Sequence, residues 1–412
     1  MRFSPAQALS RFSTGWRVVL VSVGWLILIS WLHYQVNFDH DSRPVVRMGY
    51  MPVITNLACP ILDRASRTSA DLRFEARKFS SFAEMGEALR NGDIQAAFII
   101  APLAVVLHQQ GTDARIVYIG NRHESTLVCR KDLSVRSFSD LAGKTIAVPM
   151  RYSGHNIATR QLAEKHGLSG NGLKIVEMNP PDMASALMSG ALDAYFVGEP
   201  FAAQSVSGGA ADVLHYVEDV WPGFICNLVI VLQRYIDAHP DRVRRLVQGA
   251  ARAGLWAKAS PMEAAAIAAE YWNQPLELVQ YTLSNPPDRF VFDRFVPRRD
   301  EIQYLADQMV KFGLIEGNDV SGLVRDTFAL QANLEGITDI RSIVHPPAAE
   351  TTEKKYGSTK GHSDRRSTDA FSSRPGAGLN HRQDAGATKS RDQLFSPKDL
   401  SSRADDDLLQ GN

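Results

Sequence analysis

One order of local elements occurs twice in this chain. Residues 88–102, "ALRNGDIQAAFIIAP", and residues 186–200, "ALMSGALDAYFVGEP", each combine the end of a helix, a glycine, an aspartate, an apolar strand and a proline. A fully apolar strand that follows a helix is typical of a parallel sheet covered by helices on both faces. Two such units in one chain predict two α/β lobes with a cleft between them.

Strands and helices alternate in this way from about residue 45 to residue 340. The strands stop at proline or glycine, and the helices begin at capping residues such as Ser81, three positions before Glu84. The predicted fold class is therefore α/β with mostly parallel strands. We assign residues 45–133 and 229–340 to lobe I and residues 134–228 to lobe II, with "STLVCRKD" and "NLVIVLQRY" as the strands that cross between them.

The N-terminal segment, residues 1–44, differs from the rest of the chain. Arginines without any acid precede an apolar run from Val18 to Leu32. A positive flank before such a run is typical of an export signal, and the flanking aromatic residues bring the segment close to the length of a membrane span. Because no small-x-small cleavage site follows, we expect an uncleaved anchor at the periplasmic face of the inner membrane. Cleavage would instead release the protein into the periplasm.

Composition excludes several classes of protein. The 45 Lys and Arg residues balance the 45 Asp and Glu residues, so net charge does not favour nucleic acid as a partner. The three cysteines are far apart and form no C-x-x-C pair, which argues against a disulfide scaffold and a cysteine zinc site. Residues 346–412 are rich in Ser, Gly, Asp, Arg and Lys and poor in aliphatic residues, which predicts a disordered tail.

Candidate ligand-binding residues follow four of the predicted strands. In open parallel sheets, ligands bind beyond the carboxyl ends of the strands, where helix N-termini present free amides. The four segments are "GYMPVITN", "IIAPLA", "VPMRYSGHN" and "VGEPFA", and they contain Tyr50, Thr55, Ala101, Ser153, His155, Asn156 and Glu199. If the chain forms two lobes, these segments meet at one cleft.

Several of these residues also have a purely structural interpretation, which the sequence leaves open. Glu199 either contacts a polar group of a ligand, fixes a basic neighbour or only stabilises a helix N-terminus. Ser153 and Asn156 suit an anion, but either one also suits a helix cap. Tyr50 either stacks on a ligand or belongs to the core.

The common catalytic and cofactor motifs are missing from the sequence. "LAGKT" resembles the end of a Walker A motif, but Phe138 stands where the first glycine would be. The sequence contains no H-E-x-x-H, no G-x-S-x-G and no Gly-rich dinucleotide loop, and its eleven histidines include no i, i+4 pair. The sequence therefore favours binding over catalysis, with no metal and no cofactor.

The same segments resemble a known family. "GYMPVITNLACPIL", "DLAGKTIAVPMRYSGHNIATRQL" and "PPDMASALMSGALDAYFVGEPFAAQSV" are similar to the periplasmic solute-binding proteins of nitrate, bicarbonate and sulfonate (taurine) type ABC importers. The wider superfamily includes thiamine-pyrimidine-precursor proteins. The resemblance implies a type II periplasmic-binding-protein fold, which closes on a small molecule or anion and docks on an ABC permease with its ATPase. It also implies that Ser153, His155, Asn156 and Glu199 line the pocket.

One departure from the family pattern bears on the ligand. Nitrate-binding members have a lysine after a Trp-Pro, whereas "VWPGFICNLVIV" places Asn227 there. Asn227 donates a hydrogen bond but supplies no fixed cation for a small monoanion. A sulfonate, a larger organic acid or a heterocycle is then at least as good a candidate as nitrate. Two alternatives stay open: a thiamine-precursor-related binding protein or enzyme, and an anchored ligand sensor.

Overall fold

The computed structural model describes residues 13–37 and 43–345 of the 412-residue chain. The tail predicted to be disordered, residues 346–412, lies outside the described residues. The strands of the described part are β1 Val45–Tyr50, β2 Arg73–Lys78, β3 Ala96–Ile100, β4 Ala114–Ile119, β5 Ser125–Arg130, β6 Thr145–Val148, β7 Lys174–Glu177, β8 Ala194–Gly198, β9 Ala211–Tyr216 and β10 Asn227–Leu232.

The helices follow the strands in alternation up to β10 and then succeed one another. Their bounds are α1 Thr14–Asn37, α2 Ala58–Ser66, α3 Phe82–Asn91, α4 Ala101–Gln109, α5 Gly154–Lys165, α6 Pro180–Met188, α7 Phe201–Ser207, α8 Val217–Val220, α9 Gln233–Ala238, α10 Pro240–Ala259, α11 Pro261–Trp272, α12 Leu276–Ser284, α13 Arg299–Lys311 and α14 Thr327–Leu330. Short 3₁₀ turns lie at Ile54–Asn56, Lys131–Leu133, Phe138–Leu141, Gly170–Gly172 and Arg341–Ile343.

Helix α1 contains the apolar run that the sequence identified. Its large side chains are exposed, and Trp25 and Ile27 expose 63% and 64% of their surface. Within residues 13–37 and 43–345, however, no helix combines the length and the apolarity that a membrane crossing requires. The prediction of a membrane-spanning anchor is therefore not supported.

The first lobe is built on a five-stranded sheet in the order β2–β1–β3–β10–β4. Strand β1 pairs in parallel with β2 and β3, whereas β10 runs antiparallel to both of its neighbours. Helices α2, α10 and α11 cover one face of the sheet through a large apolar core, and α3, α4 and α13 contribute to the core on the other face. This sheet, mostly parallel and covered on both faces, explains the apolar strands in the sequence.

The second lobe has the same plan. Its sheet has the order β7–β6–β8–β5–β9, with β6 parallel to β7 and β8, and β5 antiparallel to β8 and β9. In each lobe, one antiparallel strand is inserted beside parallel ones. The two α/β lobes predicted from the sequence are confirmed.

The inserted strands are exchanged between the lobes. Strand Ser125–Arg130, which the sequence analysis assigned to lobe I, belongs to the second sheet, and strand Asn227–Leu232 belongs wholly to the first sheet. The chain therefore crosses between the sheets at residues 120–124, the first crossing, and again at residues 217–226, the second crossing. The alternation of strands and helices in the sequence does not predict this exchange, because an apolar strand has the same sequence pattern in either sheet.

The two lobes contact each other directly. Ile157 and Ile225 of the second lobe are buried in a core cluster made mainly of first-lobe side chains, and Val53 of the first lobe is buried among second-lobe side chains. The backbone N–H of Ile54 donates to the carbonyl oxygen of Glu199 across the boundary, at 2.8 Å. Apolar packing and a backbone hydrogen bond therefore join the lobes.

A segment after the last strand is connected to both crossings by hydrogen bonds and an ion pair. In this strap, residues 285–301, Val291 exchanges backbone hydrogen bonds of 3.0 and 3.3 Å with Arg122. The Arg122 guanidinium is 2% exposed; it donates to the Gly223 carbonyl at 2.6 Å and forms a two-point ion pair with Glu301 at 2.9 and 3.0 Å. One buried arginine thus joins the first crossing, the second crossing and the strap.

Candidate functional site

A cavity of about 320 Å³ lies between the lobes at the ends of their strands. The first lobe lines it with Met51 and residues 80–83, after β1 and β2, and the second lobe lines it with residues 149–150 and 177–180, after β6 and β7. Its volume falls in the range of small-molecule sites. Strand ends from both lobes therefore form one cleft. Of the four segments expected there, "GYMPVITN" and "VPMRYSGHN" contribute to its lining, whereas "IIAPLA" and "VGEPFA" do not.

The cavity is asymmetric in its hydrogen-bond donors. Helix α3 begins at Phe82, and no side chain caps its start. Its first amides therefore remain available to an anionic or polar ligand. Helix α6 begins with Pro180 and Pro181, which have no N–H to donate, and the next amide, that of Asp182, bonds to the Asn179 carbonyl at 3.0 Å.

The remaining walls combine apolar and polar surface. Met51, Phe82, Met150 and Met178 contribute thioether and aromatic surface. The carboxylate of Glu177 accepts a 2.7 Å hydrogen bond from the backbone N–H of Arg151. The cavity therefore suits a molecule with a polar end, facing the start of α3, and an apolar part.

A buried layer of polar side chains lies behind Met51. The Asn56 amide donates to the Met51 carbonyl at 3.0 Å and accepts from the amide of Asn227 at 2.9 Å. The Thr55 hydroxyl donates to the carbonyl of Asn121 at 3.3 Å, while neither atom of the Asn121 side-chain amide has a partner within the described chain, although the residue is 2% exposed. Thr55 and Asn227, both predicted site residues, therefore lie just behind the cavity rather than in its wall.

Gly120 allows the first crossing to pass close to this layer. A Cβ at this position would lie 2.3 Å from the backbone oxygen of Thr55 and 2.6 Å from its hydroxyl. Only glycine fits without a shift of the backbone, so the approach of the two segments depends on this residue.

His155 lies deeper, at the start of α5. Its Nε2 is 2.8 Å from the hydroxyl of Ser125 and 3.9 Å from the thiol of Cys226, and its ring packs edge-on against Phe196 and Phe224. Nδ1 has no partner among the described residues. Burial lowers the pKa of His155 to about 3, so the imidazole is neutral at physiological pH.

Glu199 is engaged by its own lobe and by the strap. One carboxylate oxygen accepts from the Thr126 hydroxyl at 2.6 Å and lies 3.5 Å from Arg289, and the other accepts from the backbone N–H of Ala203 at 2.8 Å. The residue is 5% exposed and is not among those that line the cavity. Burial raises the pKa of Glu199, and the neighbouring guanidinium of Arg289 acts in the opposite direction. The side chain thus fixes a basic neighbour, one of the interpretations that the sequence left open.

Steric crowding by Glu124 explains why a glycine, Gly198, precedes Glu199. A Cβ at Gly198 would lie 2.7 Å from the carboxylate of Glu124. That carboxylate accepts hydrogen bonds from the hydroxyl of Ser125 at 3.0 Å and from the backbone N–H of Glu199 at 3.1 Å. Glu124 is completely buried, and this burial raises its pKa to about 8.

The other predicted site residues have local roles. Ser153 caps α5 by accepting from the backbone N–H of Asn156 at 3.1 Å, and the Asn156 amide donates to the Arg151 carbonyl at 2.7 Å. The backbone N–H of Ala101 donates to the carbonyl of Cys226 at 2.8 Å. Tyr50 lies in the core of the first lobe, where its hydroxyl donates to the carbonyl of Tyr271 at 3.2 Å. Of the two interpretations that the sequence left open, Tyr50 is therefore a core aromatic residue.

Sequence reasoning missed four residues of this region. Asn121, Glu124 and Ser125 belong to the polar run "NRHES" directly after an apolar strand, a pattern that could have identified the first crossing. No local sequence pattern identifies Arg289, because the folded strap, and not the neighbouring sequence, places it beside Glu199. The region's two buried arginines, Arg122 and Arg289, are both engaged by carboxylates.

Comparisons with known proteins agree with this architecture. A family model described as the NMT1-like family matches residues 40–273. The taurine-binding periplasmic protein of Escherichia coli is 30% identical over 180 residues, which cover 42% of this chain and 54% of that protein. That protein and two other curated relatives are matched over only 35 to 61% of their own lengths.

Two solved structures share the fold. The alkanesulfonate-binding protein SsuA from Xanthomonas axonopodis pv. citri, bound to MOPS, superposes with a TM-score of 0.60 at 19% identity, covering 69% of this chain and 99% of its own. The nitrate-binding protein NrtA from Synechocystis PCC 6803 gives a TM-score of 0.60 at 16% identity, covering 70% and 88%. The predicted periplasmic-binding-protein fold is confirmed. Because the family match extends over more than half of the 412 residues, the chain belongs to the NMT1-like family.

Proposed function

We propose that this protein is an exported solute-binding component of an ABC importer, which holds a small polar or anionic organic molecule in the cavity between its lobes. The observation that carries the proposal is the cavity of about 320 Å³, lined by strand ends from both lobes. Two crossings join the lobes, an arrangement that permits opening and closing around a ligand. The named functions of the taurine-binding and alkanesulfonate-binding relatives support the same class.

The cavity favours an organic anion over nitrate or bicarbonate. Its donors are concentrated at the start of α3, while Met51, Met150 and Met178 supply apolar surface that a small inorganic ion leaves unused. Arg122 and Arg289 are already paired with carboxylates and provide no cation to the ligand. A sulfonate or carboxylate with a short apolar group satisfies both ends of the cavity.

The proposal is tested by ligand binding to the purified chain without its first 44 residues. Isothermal titration with taurine, alkanesulfonates, small carboxylates, nitrate, bicarbonate and pyrimidines should show saturable binding of one organic-anion class. Such a ligand at 100 times its Kd adds about 2.7 kcal/mol to stability, which thermal unfolding detects independently. Absence of binding across the panel, with the protein folded, would contradict the proposal.

A cavity-filling variant locates the site. Ala83 lines the cavity in the first turn of α3 and is exposed, so Ala83→Trp should fill the cavity with little effect on folding. Ala266→Trp, at an exposed position within α11, is the matched control. Loss of binding in the first variant alone places the ligand between the lobes, and equal binding in both would place it elsewhere.

The proposed role is transport rather than catalysis. An ABC permease and its ATPase are the partners that this role requires, and the periplasm is its compartment. Turnover of a bound pyrimidine or sulfonate by the purified chain would favour the enzyme alternative. Ligand-dependent association with a permease encoded beside it would separate an importer component from a sensor.

A further inference from the structure

Three buried side chains with metal-ligating atoms meet where the lobes are joined. Glu124, His155 and Cys226 each place one such atom within 4.8 Å of the others, and they are 0%, 2% and 4% exposed. We propose that this hinge cluster, Glu124, His155 and Cys226, is a binding site for one divalent cation of the zinc class. It does not overlap the residues that line the ligand cavity, so it is a second site.

The distances are close to those of a metal site. With a Zn–S bond of about 2.3 Å and a Zn–N bond of about 2.0 Å, tetrahedral ligands lie about 3.5 Å apart. The Nε2 of His155 and the Sγ of Cys226 are 3.9 Å apart, so a shift of a few tenths of an ångström brings both into the coordination sphere. The carboxylate of Glu124 is the third ligand, and an oxygen from the Ser125 hydroxyl or from water completes four.

The present hydrogen bonds of the hinge cluster are few. The Ser125 hydroxyl lies 2.8 Å from His155 Nε2 and 3.0 Å from Glu124 Oε1. Glu124 Oε2 also accepts from the backbone N–H of Glu199 at 3.1 Å, and the Cys226 thiol donates to the Asn227 amide oxygen at 3.2 Å. The imidazole Nε2 is contacted by this hydroxyl and, at 3.9 Å, by the Cys226 thiol, so a metal ion displaces few hydrogen bonds.

Charge also favours a cation in the hinge cluster. No basic side chain of the described chain forms an ion pair with Glu124, and Arg289 is committed to Glu199 and Glu218. A divalent cation bound to one thiolate, one carboxylate and one neutral imidazole gives a site without net charge, and binding releases one proton each from the Cys226 thiol and the Glu124 carboxyl group. Buried charges persist when they are compensated in this way.

The ligand types select the metal. One sulfur, one nitrogen and one oxygen donor suit zinc, whereas calcium and magnesium require oxygen ligands. The sequence analysis expected no metal because the cysteines form no C-x-x-C pair and the histidines include no H-E-x-x-H motif and no i, i+4 pair. The exchange of strands brings them together: Glu124 ends the first crossing, Cys226 ends the second, and His155 lies on α5.

This position gives the metal a structural consequence. A cation bound to the hinge cluster ties both crossings to the second lobe at the point about which the lobes must move. Metal occupancy should therefore restrict opening of the lobes and slow the release of a ligand held in the cavity. This consequence, unlike metal binding itself, depends on the proposed transport function.

Direct measurement of Zn²⁺ tests the site without any transported ligand. The full chain is dialysed against buffered Zn²⁺, and bound zinc is measured by mass spectrometry together with the protein. We expect one Zn²⁺ per chain in the wild type and affinity lowered by more than about tenfold in Cys226→Ser and His155→Gln, because even changes beside a metal ligand cost ten- to a hundredfold. Cys129→Ser, which removes another buried cysteine, should leave binding unchanged.

Absorption spectroscopy with Co²⁺ tests the site in the wild type, and so does not depend on whether the ligand variants fold. Co²⁺ added to the wild type should give tetrahedral d–d bands and a thiolate-to-cobalt charge-transfer band, and Cys129→Ser should keep both. A folded wild type that retains no zinc, or that binds Co²⁺ without the thiolate band, would overturn the proposal. Either result leaves the solute titrations unaffected, so failure of this site is distinguishable from failure of the proposed function.

Discussion

The ion pair between Arg289 and Glu199 offers a sharp test of how the strap supports the second lobe. The side chains of Arg289 and Glu199 are only 3% and 7% exposed. Besides Glu199 at 3.5 Å, the guanidinium bonds to Glu218 at 2.9 Å and to the Thr126 hydroxyl at 2.9 Å, and it stacks 4.2 Å from the centroid of Tyr216. Removing the arginine leaves the buried Glu199 and the half-buried Glu218 without this partner.

Arg289→Met keeps most of the apolar stem and removes the charge. Breaking a buried pair from one side costs about 3–5 kcal/mol. With an unfolding entropy of about 2.1 cal/mol/K per residue, the roughly 300 residues from 43 to 345 contribute about 0.6 kcal/mol/K. The expected fall in Tm is therefore about 5–8 °C, measured by differential scanning calorimetry and checked by urea unfolding.

Arg298→Met is the matched control from the same strap. Arg298 is paired with Asp300 at 2.6 Å, but the two side chains are 66% and 65% exposed, so its loss should change the stability little. The double variant Arg289→Met with Glu199→Gln should recover part of the lost stability, because the unpaired carboxylate is gone. Equal effects of the two single variants, or no recovery in the double variant, would refute the burial argument.

Further predictions concern His155 and Gly198. Because the folded pKa of His155, about 3, lies below that of an exposed histidine, the neutral ring stabilises the fold above pH 6.5 and loses this contribution as pH falls towards 3. In the presence of a chelator, His155→Gln should therefore reduce the loss of stability between pH 7 and pH 5 by about 2 kcal/mol in urea titrations. Gly198→Ala forces a Cβ to within 2.7 Å of the Glu124 carboxylate and should cost about 1–3 kcal/mol, whereas Gly317→Ala, which meets nothing within 4 Å, should be nearly neutral in the same unfolding assay.

Much of the fold was predictable because its signals are local. Apolar strands, capped helices and glycine turns each depend on a few consecutive residues, and their repeated order indicated two α/β lobes. The family resemblance depends on the same strand-end segments, and the family match confirms it. The cleft between strand ends follows from the geometry of parallel sheets, in which those ends share one edge.

The roles of single side chains were less predictable. Glu199 was correctly noted as a carboxylate between Gly198 and Pro200, but its engagement by Arg289 depends on a residue 90 positions away in the sequence. Ser153 caps a helix by accepting from the backbone N–H of Asn156, a role that the local sequence allowed but could not distinguish from ligand binding. Whether such residues cap the helix or bind a ligand depends on which side of the helix start faces the cavity.

The sequence by itself determined the α/β class, the repeated lobes, the strand-end loops and the family resemblance, which the match to the NMT1-like family bears out. Only the tertiary structure decided which strand belongs to which sheet, and with it the meeting of Glu124, His155 and Cys226. The physical reason is that hydrophobic periodicity records burial, whereas the partner that buries a strand is chosen by packing among distant segments of the chain.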